Sequence, residues 1–128
     1  MTKAQVLYRF FSRFLTAYEE NSVKEMTEPP AMPYLTYQLI IGSFNPDMSG
    51  TYLPVNLWYR SGSLLALNNK IEEISQTVGR SGIILSCDGG YIRLTRNDTN
   101  FGQIMGDPND DEVKRGYLSF TIEYFTND

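Results

Sequence analysis

The stretch IILSCDGGYIRLT, residues 83–95, decides how the rest of the chain can be arranged. Apolar residues dominate Ile83 to Cys87 and alternate with other residues from Tyr91 to Thr95, as expected of two short strands. Between them, Asp88-Gly89-Gly90 supplies turn chemistry in which glycines accept positive φ. The stretch therefore predicts a β-hairpin, and a hairpin favours an antiparallel sheet around it.

Three further segments alternate apolar and polar residues with the two-residue period of a half-buried strand. They cover Tyr34 to Gly42, Thr51 to Arg60 and residues 118 to 124. The turn residues NPDMSG at 45–50 separate the first two segments, which predicts another hairpin. Pro54 has no N–H to donate to a neighbouring strand, so we expect the strand from Thr51 to Arg60 to lie at a sheet edge, at least at Pro54.

Two segments have the three- and four-residue apolar spacing of amphipathic helices, residues 3 to 14 and residues 64 to 78. The hydroxyls of Ser61-Gly62-Ser63 can cap the second helix. Residues 17 to 33 lack a period and predict a loop, interrupted only by a short strand near Tyr18. The order of elements predicts an α+β fold, a mostly antiparallel sheet of about five strands with two amphipathic helices packed on one face.

Length and charge limit the classes of protein to which the chain can belong. Its 128 residues suit a single domain, 1–128, that folds without a disulfide or a structural metal. The net charge of −4 and the lack of a Lys/Arg cluster argue against specific nucleic-acid binding. No apolar run reaches membrane-spanning length, and the amino terminus does not read as a secretory signal. We therefore expect neither a nucleic acid nor a membrane as a specific partner.

Residue types also argue against an enzyme. The chain contains no histidine, which removes the commonest general base and the commonest metal ligand. Its single cysteine, Cys87, is followed by Asp88, whose carboxylate would raise the pKa of the thiol and leave it less reactive. We interpret Cys87 as a buried structural residue. The sequence predicts no catalytic residue and no cofactor.

An acidic stretch from Asn97 to Lys114 follows the hairpin, and we interpret it as a long loop. Every second residue from Asp107 to Asp111 carries a side-chain oxygen, as in the first half of an EF-hand calcium loop. The sixth position of such a loop needs glycine and holds Glu112, and the twelfth needs glutamate and holds Leu118. The stretch therefore predicts a solvated acidic loop without a metal site, with weak cation binding left open.

Five runs of residues resemble small structural proteins of tailed phages and prophages of Gram-positive bacteria, in particular the tail terminator proteins of lambda-type and related long-tailed phages. The runs, which extend over nearly the whole chain, are AYEENSV (17–23), PYLTYQ (33–38), LWYRS (57–61), CDGGYI (87–92) and MGDP (105–108). The resemblance implies a sheet with helices packed on it and assembly as a hexameric ring. Such a ring caps the tail tube and joins it to the head.

The resemblance also implies partners and a location. The partners are other copies of the chain, the tail-tube protein and the head–tail connector, and genome DNA passes through the ring. Assembly takes place in the bacterial host cytoplasm, and the finished ring belongs to the virion tail. No catalytic residue is implied.

A ring needs two different patches on each subunit, because its contacts are heterologous. Tyr52 and Trp58 point away from the core row of their predicted strand, so we assign the strand from Thr51 to Arg60 to the first patch. The acidic stretch is assigned to the second patch or to the lumen, where negative charge would repel DNA. The candidate interface or lumen residues are Tyr52, Trp58, Arg60, Phe101, Met105, Asp107, Asp110, Asp111 and Glu112.

Two other interpretations stay open. A neck or head–tail adaptor protein would have nearly the same sequence features and would differ in its partners. A small ligand-binding or calcium-binding module is the other, and calorimetry with calcium would test it.

Overall fold

The computed structural model describes residues 1–39, 51–60, 64–97 and 101–126. The helices in these residues are α1 (Lys3–Phe11), α2 (Glu20–Lys24) and α3 (Leu65–Val78). The strands are β1 (Ala17–Glu19), β2 (Tyr34–Tyr37), β3 (Thr51–Arg60), β4 (Ile83–Cys87), β5 (Gly90–Arg96), β6 (Gly102–Asp107) and β7 (Asp110–Thr126). The predicted α+β class is confirmed, but the described residues form a sheet of seven strands where the sequence predicts about five.

The sheet is built around β7. The strands lie in the order β1-β2-β3-β7-β5-β4, and β6 also pairs with β7. Because β3 pairs with residues 113–122 of β7, β6 and β5 share its other side, β6 up to Leu118 and β5 from Phe120 onward. All strand pairs of the described residues are antiparallel except β1 with β2. One long strand therefore joins the two halves of the sheet.

Both predicted hairpins are present as antiparallel pairs, β2 with β3 and β4 with β5. The turn between β4 and β5 lies at Asp88 and Gly89, as the sequence predicts. The predicted short strand near Tyr18 is confirmed as β1, although α2 follows it where we expect a loop. The predicted turn at 45–50, the end of the preceding strand at 40–42 and the predicted cap at 61–63 lie outside the described residues.

β3 as a whole does not lie at a sheet edge, because it runs between β2 and β7. At Pro54 itself, however, the pairing with β2 has just ended, opposite Val55. The Pro54 carbonyl accepts a 3.3 Å hydrogen bond from the N–H of Gln38, one residue past the paired part of β2. The N and C=O groups of a strand residue point to the same side, so the proline nitrogen also faces away from β7. Its missing N–H costs no bond to β7, and an interior strand tolerates the proline.

The acidic stretch is largely not a loop, so this prediction is wrong. β6 and the first part of β7 form a hairpin, in which Asp107 pairs with Asp110 around a turn at Pro108 and Asn109. We call residues 102–118 the acidic hairpin. Its two strands contain glycines and charged side chains and so lack a regular alternation of apolar residues. That alternation is the signal from which a strand is predicted in a sequence.

α1 packs across the concave side of the sheet. It ends at Phe11, earlier than the predicted Phe14, although a following turn still buries the Phe14 side chain. The rings of Phe11 and Tyr37 stack with centroids 5.0 Å apart. α1 contacts both β1 and β4, the outermost strands of the sheet. One helix can reach both strands only because the sheet curls around it.

α3 covers the same face further along β7. Its observed bounds agree with the predicted helix to within one residue, and it buries Leu67, Ile74 and Val78. A Cβ atom at Gly116 would lie 2.9 Å from Leu67 Cδ1, so any larger residue would force this helix side chain to shift. No helix in the described part of the chain is long and apolar enough to cross a membrane.

Candidate docking surface

The face of the sheet opposite α1 and α3, which we call the outer face, carries the candidate surface. In β3 the side chains of Leu53, Val55 and Leu57 enter the core, whereas Tyr52 and Trp58 lie on the outer face, as the sequence predicts. Strand pairing aligns the outer side chains in rows that cross the sheet. Two parts of this face differ sharply in how much of their apolar surface is exposed.

The first part is a row that contains Tyr34, Trp58, Arg115 and Met105, on β2, β3, β7 and β6 in that order. We call it the aromatic row. The rings of Tyr34 and Trp58 stack with centroids 6.0 Å apart, and the Arg115 guanidinium lies 5.6 Å from the centre of the Trp58 ring. Arg115 Nη2 also donates a hydrogen bond to Met105 Sδ at 3.4 Å. Every member of the row contacts another member.

The aromatic row is largely shielded from water, with one buried member and three half-buried ones. Tyr34 is buried, and this burial, with a smaller contribution from Tyr18, raises the pKa of its hydroxyl. Thr36 is also buried, and its Oγ1 accepts a long 3.5 Å hydrogen bond from Trp58 Nε1. Beside it, Asn56 Oδ1 is buried without a hydrogen-bond partner among the described residues. This part of the outer face is packed by the chain itself.

The second part lies around the carboxyl end of β7 and exposes four large hydrophobic side chains. They are Tyr52 (66% exposed), Ile84 (61%), Phe125 (43%) and Tyr91 (39%), four of the nine such side chains in the described part of the chain. We call these four residues the apolar end. Tyr91 and Phe125 stack with centroids 4.9 Å apart, and Arg93 and Glu123 form a 3.7 Å ion pair in the adjacent row. Tyr52 pairs with Thr121 on the far side of that row, so charged groups divide the exposed apolar surface of this end.

The acidic hairpin is anchored to its own domain through Arg60. Arg60 Nη1 donates a 2.8 Å hydrogen bond to Asp110 Oδ2 and lies 3.9 Å from Glu112 Oε2. The hydrogen bond lowers the pKa of the Asp110 carboxyl and raises the pKa of the Arg60 guanidinium. Within the turn, the N–H of Asn109 donates to Asp107 Oδ1 at 2.8 Å. The hairpin is an ordered part of the sheet.

These contacts direct the carboxylates away from a shared cation. Asp110 is turned toward Arg60, and Asp107 accepts from the turn backbone. In the described residues, no group of three or more potential ligand side chains is arranged to hold a metal ion. The acidic hairpin therefore carries its negative charge at the protein surface.

The predicted interface residues fall into several places. Trp58 and Met105 belong to the aromatic row, Tyr52 belongs to the apolar end, and Arg60, Asp107, Asp110, Asp111 and Glu112 lie at or beside the tip of the acidic hairpin. Phe101 is half-buried, and its ring packs edge-on against Phe120 of the core with centroids 5.2 Å apart. The structure brings Arg60 to the acidic hairpin and links Trp58 to Met105 through Arg115. Tyr52 belongs to neither group.

Sequence patterns missed three of the four residues of the apolar end, namely Ile84, Tyr91 and Phe125. A signal for the first was available, because Ile83 and Ile84 are adjacent and a strand sends adjacent side chains to opposite faces. An apolar pair at successive strand positions thus indicates apolar character on the outer face. No comparable signal indicates that Arg115 would connect Trp58 with Met105.

Cys87 is half-buried and packs against the core, so the expected full burial is not reached. Burial, with a smaller contribution from Cys87, raises the pKa of the nearby Tyr124 hydroxyl to about 12.

Comparison of the chain with protein-family models, curated proteins and solved structures finds no match. Its function therefore has to be argued from its surfaces.

Proposed function

We propose that the chain is a phage virion assembly protein, a tail terminator that caps the tail tube as a ring and joins it to the head. Its partners are other copies of the chain, the tail-tube protein and the head–tail connector. It acts first in the host cytoplasm and then in the virion tail. The sequence resemblance motivates this proposal, and two surface features support it.

The apolar end is the observation that carries the proposal. The surfaces of soluble proteins commonly expose single apolar side chains. Here four large apolar side chains are exposed at one end of a sheet face. Tyrosine and phenylalanine are enriched in the cores of protein interfaces. Arg93 and Glu123 already pair with each other at 3.7 Å, so a partner that covers this end leaves neither charge alone. We assign the apolar end to the contact with the tail-tube protein.

The acidic hairpin supports the ring. It extends from the amino-terminal part of β7, whereas the apolar end surrounds the carboxyl end of the same strand. A subunit that joins both its neighbours and the tube needs separate surfaces, and this arrangement supplies them. We assign the hairpin to the contact between copies in preference to the lumen.

Deleting the gene from the phage or prophage that carries it tests the function directly. We expect electron micrographs of the lysate to show tail tubes of excess length and heads without tails, because nothing stops tube polymerisation or presents the head connector. Tubes of normal length beside unattached heads would support the neck adaptor instead. Normal, infective particles would contradict both assignments. Restoring the gene on a plasmid is the control.

A further inference from the structure

The exposed side of α1 forms a shallow groove of about 460 Å³, lined by Met1, Gln5, Tyr8, Arg9, Ser12 and Arg13. Tyr8 is 55% exposed there and supplies an apolar wall. Arg9 and Arg13 are exposed, and neither forms an ion pair with a carboxylate of the described residues. Residues 1–18 contain no Asp or Glu. The groove thus holds unbalanced positive charge in a chain whose net charge is −4.

The tip of the acidic hairpin has the opposite character. Residues 107–112 include four carboxylates, and Arg60 pairs with only Asp110 and Glu112 among them. Pro108 and Asn109 are exposed at the turn. Strand pairing on both sides of the turn holds this tip in a narrow, defined shape. A narrow acidic tip of this kind matches a shallow basic groove in charge and in form.

A second groove in the same protein shows that the match is selective. On α3, a groove of about 480 Å³ is lined by Asn69, Glu72, Glu73, Gln76 and Thr77. Its volume is nearly that of the α1 groove, but its charges are negative, and Lys70 offsets only Glu73, at 2.8 Å. An acidic tip is attracted to the α1 groove and repelled by the α3 groove.

The tip and the amino-terminal end of the α1 groove lie near opposite ends of β7. Met1 binds the β4–β5 turn, where its carbonyl accepts a 2.8 Å hydrogen bond from the N–H of Asp88. That turn adjoins Gly90, which pairs with Thr126 at the carboxyl end of β7. The hairpin tip adjoins Asp110, where the 17-residue strand begins.

We propose that the acidic hairpin tip of one copy docks in the α1 groove of a second copy, which makes the head-to-tail contact between neighbouring subunits. The inference rests on the ring of the proposed function and names the surfaces that build it. Arg9 and Arg13 face the carboxylates at 107–112, and Tyr8 packs against the turn. Because each copy carries both surfaces at different places, the contact is heterologous and can close into a ring.

Charge reversal tests the contact in solution by sedimentation velocity. We expect the wild type to associate reversibly and less strongly at high salt, and we expect Arg9→Glu/Arg13→Glu or Asp111→Lys/Glu112→Lys to weaken association about tenfold or more. Mixing the two variants should restore association, because each supplies a surface that complements the other. Asn69→Glu/Gln76→Glu, which adds two carboxylates to the α3 groove, is the control and should leave association unchanged.

Restoration on mixing separates a lost contact from a lost fold, since two misfolded variants cannot rescue each other. A wild type that stays monomeric at its highest soluble concentration would overturn the proposal. So would variants that associate like the wild type, or a mixture that associates no better than either variant alone.

Disulfide trapping gives an independent readout of the same contact. In a Cys87→Ser background, Ser12→Cys/Asn109→Cys should form intermolecular disulfides and a ladder of oligomers under mild oxidation, because docking brings the two sites close together. Asn69→Cys/Asn109→Cys, which places the first cysteine in the acidic α3 groove, is the matched control. Equal ladders from both pairs, or no ladder from the first, would contradict the docking.

The outcomes also separate this inference from the proposed function. If neither assay detects the contact and gene deletion still yields over-long tubes, the ring uses other surfaces and the terminator function stands. If the contact is present and deletion leaves infective particles, the chain self-associates for another purpose.

Discussion

The aromatic row and the apolar end lie on one face of one sheet, yet they use their side chains in different ways. In the aromatic row, Trp58 contacts Tyr34, Arg115 and Thr36, and Tyr34 and Thr36 are buried. At the apolar end, Tyr52 and Ile84 are more than 60% exposed. Large aromatic side chains contribute free energy wherever they leave water. We infer that the aromatic row stabilises the monomer, whereas the apolar end stabilises a complex.

The difference also shows how a polar residue can close a surface. Arg115 lies across Trp58 and reaches Met105, so its long side chain covers the row that its strand crosses. At the apolar end, Arg93 pairs with Glu123 and leaves Ile84 uncovered. An arginine on a sheet face can therefore either cover its apolar neighbours or leave them available.

Trp58→Ala should have the largest effect on stability. Because the indole contacts three side chains of the row, we expect the free energy of unfolding to fall by about 3 kcal/mol. Urea unfolding monitored by circular dichroism measures the change. Tyr52→Ala on the same strand is the control and should change it by less than about 0.5 kcal/mol, because the ring is exposed. Equal losses from the two variants would contradict the distinction between the covered aromatic row and the exposed apolar end.

Arg115→Gln should have an intermediate effect. The variant keeps a polar side chain but is shorter, and it loses the cation over Trp58 and the bond to Met105, so we expect a loss of about 1 kcal/mol in urea unfolding. Arg93→Gln at the apolar end removes a half-exposed ion pair with Glu123 and a 3.1 Å hydrogen bond to the Ser81 carbonyl, and it should cost about 0.5 kcal/mol or less. A larger loss from Arg93→Gln would mean that the two arginines have the reverse roles.

Tyr52→Ser/Ile84→Ser sharpens the comparison from the side of binding. Both side chains are exposed, so we expect the free energy of unfolding to change by less than about 0.5 kcal/mol while cosedimentation with purified tail tubes is lost. Met26→Ser, which removes an exposed hydrophobic side chain that belongs to no strand, is the control and should bind like the wild type. Full tube binding by the double variant would show that the apolar end does not form the contact with the tail tube.

The smallest effect is expected at the acidic hairpin, from Arg60→Gln. The lowered pKa of Asp110 means that its ion pair stabilises the fold above the ordinary carboxyl pKa of 3.8, and that this contribution disappears as the pH falls through the lowered value. Removing Arg60 should raise the pKa of Asp110 toward its ordinary value, as measured by NMR titration of the carboxyl carbon. Arg80→Gln should leave it unchanged. An unaltered Asp110 pKa in Arg60→Gln would show that the ion pair does not form in solution.

Much of the fold could be predicted where residue patterns are regular. The bounds of α3, the pairing of β2 with β3 and the turn between β4 and β5 follow from local spacing and turn chemistry. The acidic hairpin could not be predicted in this way, because Gly102, Gly106 and the charged residues after the turn hide the alternation of its strands. The hairpin is held in place by the pairing of β3 with the β7 part of the hairpin and by the ion pair of Arg60, about fifty residues from Asp110 in the chain.

Pro54 illustrates the same limit at a single residue. The sequence cannot distinguish a proline on an edge strand from a proline that lies just past the end of a neighbouring strand. In both cases the missing N–H would have pointed to a side where no paired strand residue needs it. Where β2 stops determines which case applies, and that depends on the register of β2 with β3. Register is a property of two paired segments and not of either one.

The sequence by itself determined the class of fold, the faces of its helices and of its regular strands, and the absence of histidine chemistry. These follow from local periodicity and from composition, which do not depend on distant residues. Only the tertiary structure decided which outer-face residues are covered and which are exposed. Tyr52 and Trp58 share one strand and one face, but strand pairing places Arg115 and Tyr34 beside Trp58 and leaves Tyr52 largely open to solvent. Exposure depends on neighbours that the chain brings together from distant positions, and a pattern along one strand does not contain them.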